Sequence, residues 1–112
     1  MNGRFLLDTN ILIALFAADH TIQRHLNEPG AFYVPVVALG ELYYGALKSS
    51  RVDENVARID QLAASSSLLG CDNQTSRHYG EIKNNLRAKG RPIPENDIWI
   101  AAVAKQYRLT VV

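Results

Sequence analysis

Phe5-Leu6-Leu7-Asp8-Thr9-Asn10-Ile11-Leu12-Ile13 sets three apolar residues, a polar triplet and a second apolar run in succession. The first run has the length of a buried strand. The triplet is a corner of helix-capping side chains, and Ile11 to Ala18 reads as a helix. The same order recurs at Ala31 to Val34, a β-forming segment between Pro29-Gly30 and Pro35, followed by the apolar-rich helix Val36 to Leu47. Val52, Val56, Ile59 and Leu62 then fall three or four apart, a surface helix with one apolar stripe and with Arg58 and Asp60 turned away.

Ser65-Ser66-Ser67 leads into a third strand, Leu68 to Cys71. Asp72 caps a helix that carries Tyr79, Ile82 and Leu86 on one face and stops at Gly90. Pro92 and Pro94 give an ordered loop, Asn96 and Asp97 open a helix over Ile98 to Tyr107, and Leu109 to Val112 is a fourth β-like run. Strands alternating with helices predict right-handed βαβ units, hence an α/β fold with a mostly parallel sheet and helices on both faces. Ligands of such sheets bind outside the carboxyl ends of the strands, where function is to be sought.

The 112 residues are 47% hydrophobic and 21% charged, enough for one core and a single domain over 1–112. Twelve Lys or Arg against 11 Asp or Glu leave a net charge of +1, with no global pull toward nucleic acid or membrane. The lone Cys71 excludes an intrachain disulfide and a cysteine zinc cluster and fits a reducing, cytoplasmic setting; a small buried apolar role is its expectation. Asp8 and Asn10 interrupt the N-terminal apolar stretch, which argues against a signal peptide. The run Ile11 to Ala18 is far short of the ~20 residues that span a bilayer, so no membrane partner is expected.

Three carboxylates stand out. Asp8 follows three apolar residues at a strand end, where a charge is costly unless exposed, paired or bound to a cation; the plain alternative is an N-cap for the following helix, which Asp8, Thr9 or Asn10 could each supply. Glu41 interrupts an otherwise apolar segment, Val36 to Tyr44, with Gly40 and Gly45 beside it to allow close backbone approach. Asp97 lies in the first turn of the last helix, where the helix dipole favours a carboxylate. Three converging carboxylates repel unless a cation joins them, and hard oxygen donors select Mg²⁺ or Mn²⁺. That chemistry suits phosphodiester hydrolysis.

Phe5-Leu-Leu-Asp-Thr-Asn-Ile-Leu-Ile13, Pro35-Val-Val-Ala-Leu-Gly-Glu-Leu-Tyr-Tyr-Gly-Ala46 and Gly90-Arg-Pro-Ile-Pro-Glu-Asn-Asp-Ile-Trp-Ile-Ala-Ala102 together resemble the PIN-domain ribonucleases, specifically the VapC toxins of bacterial toxin–antitoxin pairs. The resemblance covers essentially the whole chain, in order. It implies a PIN-like three-layer fold with Asp8, Glu41 and Asp97 as catalytic metal ligands and with Thr9 and Asn10 orienting Asp8. It further implies Mg²⁺- or Mn²⁺-dependent cleavage of RNA, commonly transfer or ribosomal RNA, a homodimer, and inhibition by a cognate antitoxin. The family continues past its fourth strand with a turn that carries a fourth acidic residue and a last strand, whereas this sequence stops at Val112. The expectation is a PIN-like fold without that last strand, a poorly provided second metal site and weakened cleavage. The alternative is an impaired module that binds RNA or antitoxin without cutting.

Between Arg77 and Arg91 lie five bases, Arg77, Lys83, Arg87, Lys89 and Arg91, against one acid, Glu81. Arg87 and Arg91, nearest the loop that leads to Asp97, are the better RNA-binding candidates; a solvated helix face accounts for Arg77 and Lys83. His20, His25 and His78 show no ligand spacing. Tyr43, Tyr44 and Trp99 read as core or interface side chains, with Leu12, Leu15 and Phe16 as further interface candidates. A haloacid-dehalogenase-like site would need a second aspartate where Asn10 stands, and a receiver domain would need a strand-end lysine where Lys105 lies in a helix.

Overall fold

The computed structural model describes residues 4–17 and 32–112. Four short strands, β1 (Phe5–Leu6), β2 (Phe32–Pro35), β3 (Ser67–Leu69) and β4 (Thr110–Val111), form one sheet in the order β3-β2-β1-β4, with every pairing parallel. Among the described residues five helices flank it: α1 (Thr9–Ala17), α2 (Val36–Leu47), α3 (Val52–Ser65), α4 (Asn73–Ala88) and α5 (Glu95–Tyr107). This is the predicted parallel α/β arrangement.

Each boundary has a local cause. Leu6 is wholly buried beside half-buried Phe5, which is why the first run reads apolar throughout. Phe5 and Phe32 also stack across the β1–β2 pair, ring centroids 6.0 Å apart. Proline at 35 ends β2 and starts α2, because its fixed φ suits a helix entrance and its missing N–H is not needed there. The strand expected over Leu68 to Cys71 instead covers Ser67–Leu69 and pairs with Tyr33–Pro35. Cys71 therefore lies in the loop before Asp72 and is exposed, not buried as its residue type suggested. The last helix begins at Glu95, earlier than expected, directly after Pro94. The expected elements at Ala18 and Ala31 and the histidines His20 and His25 lie outside the described residues.

The core joins Leu6, Leu7, Leu12, Val34, Ala38, Ile59, Ile100 and Val103 from the sheet and from α1, α2, α3 and α5. Leu12 is thus core and not an interface residue: at 1% exposure it has no surface to offer a partner. In contrast, the only buried residue of α4 is a threonine, Thr75. Among the described residues no helix is long and apolar enough to cross a membrane.

Candidate active site

Strand order reverses at β1, which pairs with β2 on one side and with β4 on the other. Such a switch opens a crevice at the carboxyl edge, and Asp8 is the first polar residue past the end of β1. The Asp8 N–H donates to the Val112 carbonyl at 3.3 Å, and Leu7 N–H donates to Tyr33 O at 3.0 Å, so the corner is tied to both neighbouring strands. The half-buried Asp8 carboxylate accepts the Ile11 backbone N–H at 2.9 Å. Asp8 therefore caps α1. The cap uses one acceptor direction of a group that has about four, and it fixes the direction of the rest.

Thr9, next in the chain and nearly buried, points the other way. Its hydroxyl donates to Glu41 Oε1 at 2.9 Å, joining α1 to α2. Thr9 was expected to orient Asp8; instead it orients Glu41, because the first residue of α1 faces α2 while the backbone amide of Ile11 already holds Asp8. Asn10 is exposed. Among the described residues, a side-chain carbon at Gly40 or Gly45 would meet nothing within 4 Å, so neither glycine serves close packing there.

Asp97 is exposed in the first turn of α5. The chain turns from α5 into β4 through Arg108, a left-handed residue with φ 56°, so the helix runs against the strand and its first turn is directed to the carboxyl edge. α2 packs against both α1 and α5, which puts Glu41 on the helix between Asp8 and Asp97. Topology thus directs all three acidic residues to one edge, and a hydrogen bond links Thr9 to Glu41. Among the described residues, however, no three His, Cys, Asp or Glu side chains are close enough to share one ion.

Beside Glu41 a cleft of about 280 Å³ opens between α1, α2 and α3, lined by Ile13, Phe16, Gly45, Arg58 and Ile59 among others. Arg58 was expected to face solvent. It folds over the Phe16 ring, 5.0 Å from its centroid, and donates to the Phe16 carbonyl at 2.6 Å, capping the last turn of α1. Tyr43 donates to Asp60 at 2.5 Å, which pushes its hydroxyl pKa up. Tyr44 and Leu47 are largely exposed on α2.

Arg87 and Arg91 are exposed at the end of α4 and in the loop beyond it, where Gly90 is left-handed with φ 63°. Lys83 differs from them: its ammonium is paired with Glu95 at 2.6 Å, which holds the lysine pKa above its ordinary value. His78 is half-buried with Nδ1 3.5 Å from Glu81. Sequence reading missed the contacts of Tyr79, Lys83, Glu95 and Trp99; the i, i+4 spacing within each helix was the available signal.

The PIN-domain sequence profile matches residues 5–112. The chain belongs to the PIN-domain family. As a PIN domain it is 34% identical over 111 residues to Ribonuclease VapC2 of Haemophilus influenzae, a match spanning 97% of this chain and 84% of that protein. It is also 34% identical over 112 residues to the tRNA(fMet)-specific endonuclease VapC of Shigella flexneri, with the same coverage of 97% and 84%. The crystal structure of DNA-bound VapBC from Salmonella typhimurium superposes with a TM-score of 0.86 at 31% identity, over 99% of this chain and 85% of that one. The sequence resemblance to VapC PIN domains is therefore confirmed over nearly the full length.

Proposed function

We propose that this PIN domain, acting as one domain over 1–112, is a metal-dependent endoribonuclease and the toxin of a toxin–antitoxin pair, working in the cytoplasm. The observation that carries this reading is the placement of Asp8 at the strand-order switch with its neighbour Thr9 hydrogen-bonded to Glu41. Asp8, Glu41 and Asp97 would hold Mg²⁺ or Mn²⁺. The donors fit such an ion in kind, since Mg²⁺ needs only one or two protein carboxylates with waters and substrate oxygens for the rest. When bound, the ion supplies an activated water and stabilises charge at the phosphorus.

The chain's own groups do the remaining work. The Ile11 amide aims Asp8, and the Thr9 hydroxyl aims Glu41. Asn10, exposed two residues after Asp8, is available to a substrate oxygen. Arg87 and Arg91 would draw the RNA backbone toward the edge that carries Asp97. Transfer RNA is the favoured substrate and ribosomal RNA the alternative, the former by similarity to the Shigella enzyme. The Salmonella neighbour is a VapBC complex, and by similarity an antitoxin is the proposed protein partner. The cleft beside Glu41 and the exposed Tyr44 and Leu47 provide apolar surface for it and for a second copy of the chain.

A second reading is a module that binds RNA or antitoxin without cutting. Cleavage decides between the two. End-labelled transfer and ribosomal RNA are incubated with the protein in Mn²⁺, Mg²⁺ or EDTA, beside an Asp8→Asn control purified identically. Discrete fragments that need the metal and vanish in the variant are expected. RNA that is bound but left intact would establish the binding module.

A further inference from the structure

Four side chains away from the acidic corner form one connected group between α4 and α5. Tyr79 and Lys83 are a turn apart on α4, and Glu95 and Trp99 are a turn apart on α5, so each pair projects from one face of its helix. The Tyr79 and Trp99 rings stack with centroids 4.1 Å apart and planes inclined by 18°. The Tyr79 hydroxyl donates to Glu95 Oε2. Lys83 Nζ donates to Glu95 Oε1 at 2.6 Å and to the Tyr79 hydroxyl at 3.1 Å. Both oxygens of one carboxylate are therefore engaged by α4.

An isolated surface ion pair contributes little to stability. This one is different in placement. Glu95 is the first residue of α5, two positions before Asp97, and the N-cap residue Pro94 makes no side-chain cap hydrogen bond. An uncapped first turn frays, since its leading N–H groups have no partner within the helix. The segment before it is an irregular proline-containing loop with a left-handed glycine. The anchor for this turn comes from α4.

We infer that Tyr79 and Lys83 are positioning residues: by holding both oxygens of Glu95 they fix the first turn of α5 and with it the direction of Asp97. The step from Asp97 to cleavage rests on the nuclease reading above; the step from the clamp to Asp97 does not. Lys83 is accordingly a structural cation and not a phosphate contact.

The test pairs amide hydrogen exchange with cleavage kinetics in Tyr79→Phe, Lys83→Met, Lys83→Arg and Glu95→Gln, with Asp97→Asn as reference. Exchange is read at Ile98 and Trp99, whose N–H groups close the first turn; that of Ile98 reaches the Pro94 carbonyl at 3.2 Å. Exchange there should accelerate about tenfold in Tyr79→Phe, Lys83→Met and Glu95→Gln, while buried Ala102 to Ala104 keep their protection and Lys83→Arg stays near wild type. In the same three variants kcat should fall about tenfold at unchanged KM, with Lys83→Arg restoring it. Tyr79→Phe retains the ring, so fluorescence of Trp99, the chain's 1 tryptophan, verifies that the helix pair stays folded.

Unchanged exchange in all three variants would overturn the inference. So would a raised KM at constant kcat with a shallower salt dependence in Lys83→Met, the signature of a lysine on phosphate. Failure of the nuclease reading looks different: the wild type does not cut, or Asp97→Asn cuts as well as the wild type, while exchange still decides on the clamp.

Discussion

The corner formed by β1, α1 and α2 is held by burial on every element, whereas in the hairpin formed by α4 and α5 one helix, α4, is held by polar contacts. In the corner, Leu6, Leu7, Leu12, Ala38, Leu39 and Leu42 are buried, and the polar contacts of Asp8 and Thr9 ride on an apolar base. In the hairpin, α5 buries Ile98, Ile100, Ala102, Val103 and Ala104, but α4 buries only Thr75, and polar groups tie the two helices together at both ends. At one end Asp72 accepts from the Gln74 and Thr75 amides at 2.9 and 3.1 Å and from Gln106 Nε2 at 2.9 Å, while the Thr75 hydroxyl donates to Gln106. At the other end stands the group around Glu95. Burial is non-directional and tolerant, whereas hydrogen bonds fix direction and fail when one partner is lost. The acidic edge joins both: Asp8 and Glu41 belong to the first region, Asp97 to the second.

The largest expected effect lies on the chemistry. Asp97→Asn should lower the metal-dependent cleavage rate by about 10²–10³-fold, the scale of losing one electrostatic contact at a reacting centre, with an unchanged circular dichroism spectrum. Parity with the wild type would show that the hairpin contributes no group to the site. For the fold, Leu6→Ala should cost about 2–5 kcal/mol in a urea titration, as a filled site with no room to relax becomes a cavity. Thr75→Val tests the other means of cohesion. It leaves Gln106 Oε1 and the Asp72 N–H without their partner and should cost about 1–3 kcal/mol although it keeps the shape of the side chain. Thr9→Val removes the bond to Glu41 alone, and a smaller loss of about 1 kcal/mol is expected, with cleavage falling further than stability explains.

Acid should distinguish the two regions most gently. Backbone donation from Thr75, and then Gln106, holds the Asp72 pKa below its ordinary 3.8. A lowered carboxylate adds stability that is present above 3.8 and is lost as pH falls through the folded value. Amides of α4 should therefore lose protection below about pH 4 before those of α2, and Asp72→Asn should narrow that difference, the rest coming from Glu95, whose pKa Lys83 and Tyr79 also hold down.

The parallel alternation was legible because apolar runs of strand length and stripes of helical spacing are local signals. The carboxylates were legible because a charge inside an apolar run is conspicuous, as at Asp8 and Glu41. The partner of Thr9 was not, since its hydroxyl can serve Asp8 or Glu41 equally well until α1 is packed on α2. Arg58 read as a solvent-facing residue because nothing local reveals that the carbonyl and ring of Phe16, 42 positions away, lie within its reach.

By itself the sequence determined the order of the described elements and the family, and it nominated Asp8, Glu41 and Asp97, all through residue type and short-range spacing. Only the tertiary structure decided which polar groups meet: Thr9 with Glu41, Arg58 with Phe16, Thr75 with Gln106, and Glu95 with Tyr79 and Lys83. Hydrogen bonds act over about 3 Å and in one direction, so their partners are defined only once packing has brought distant turns of the chain into register.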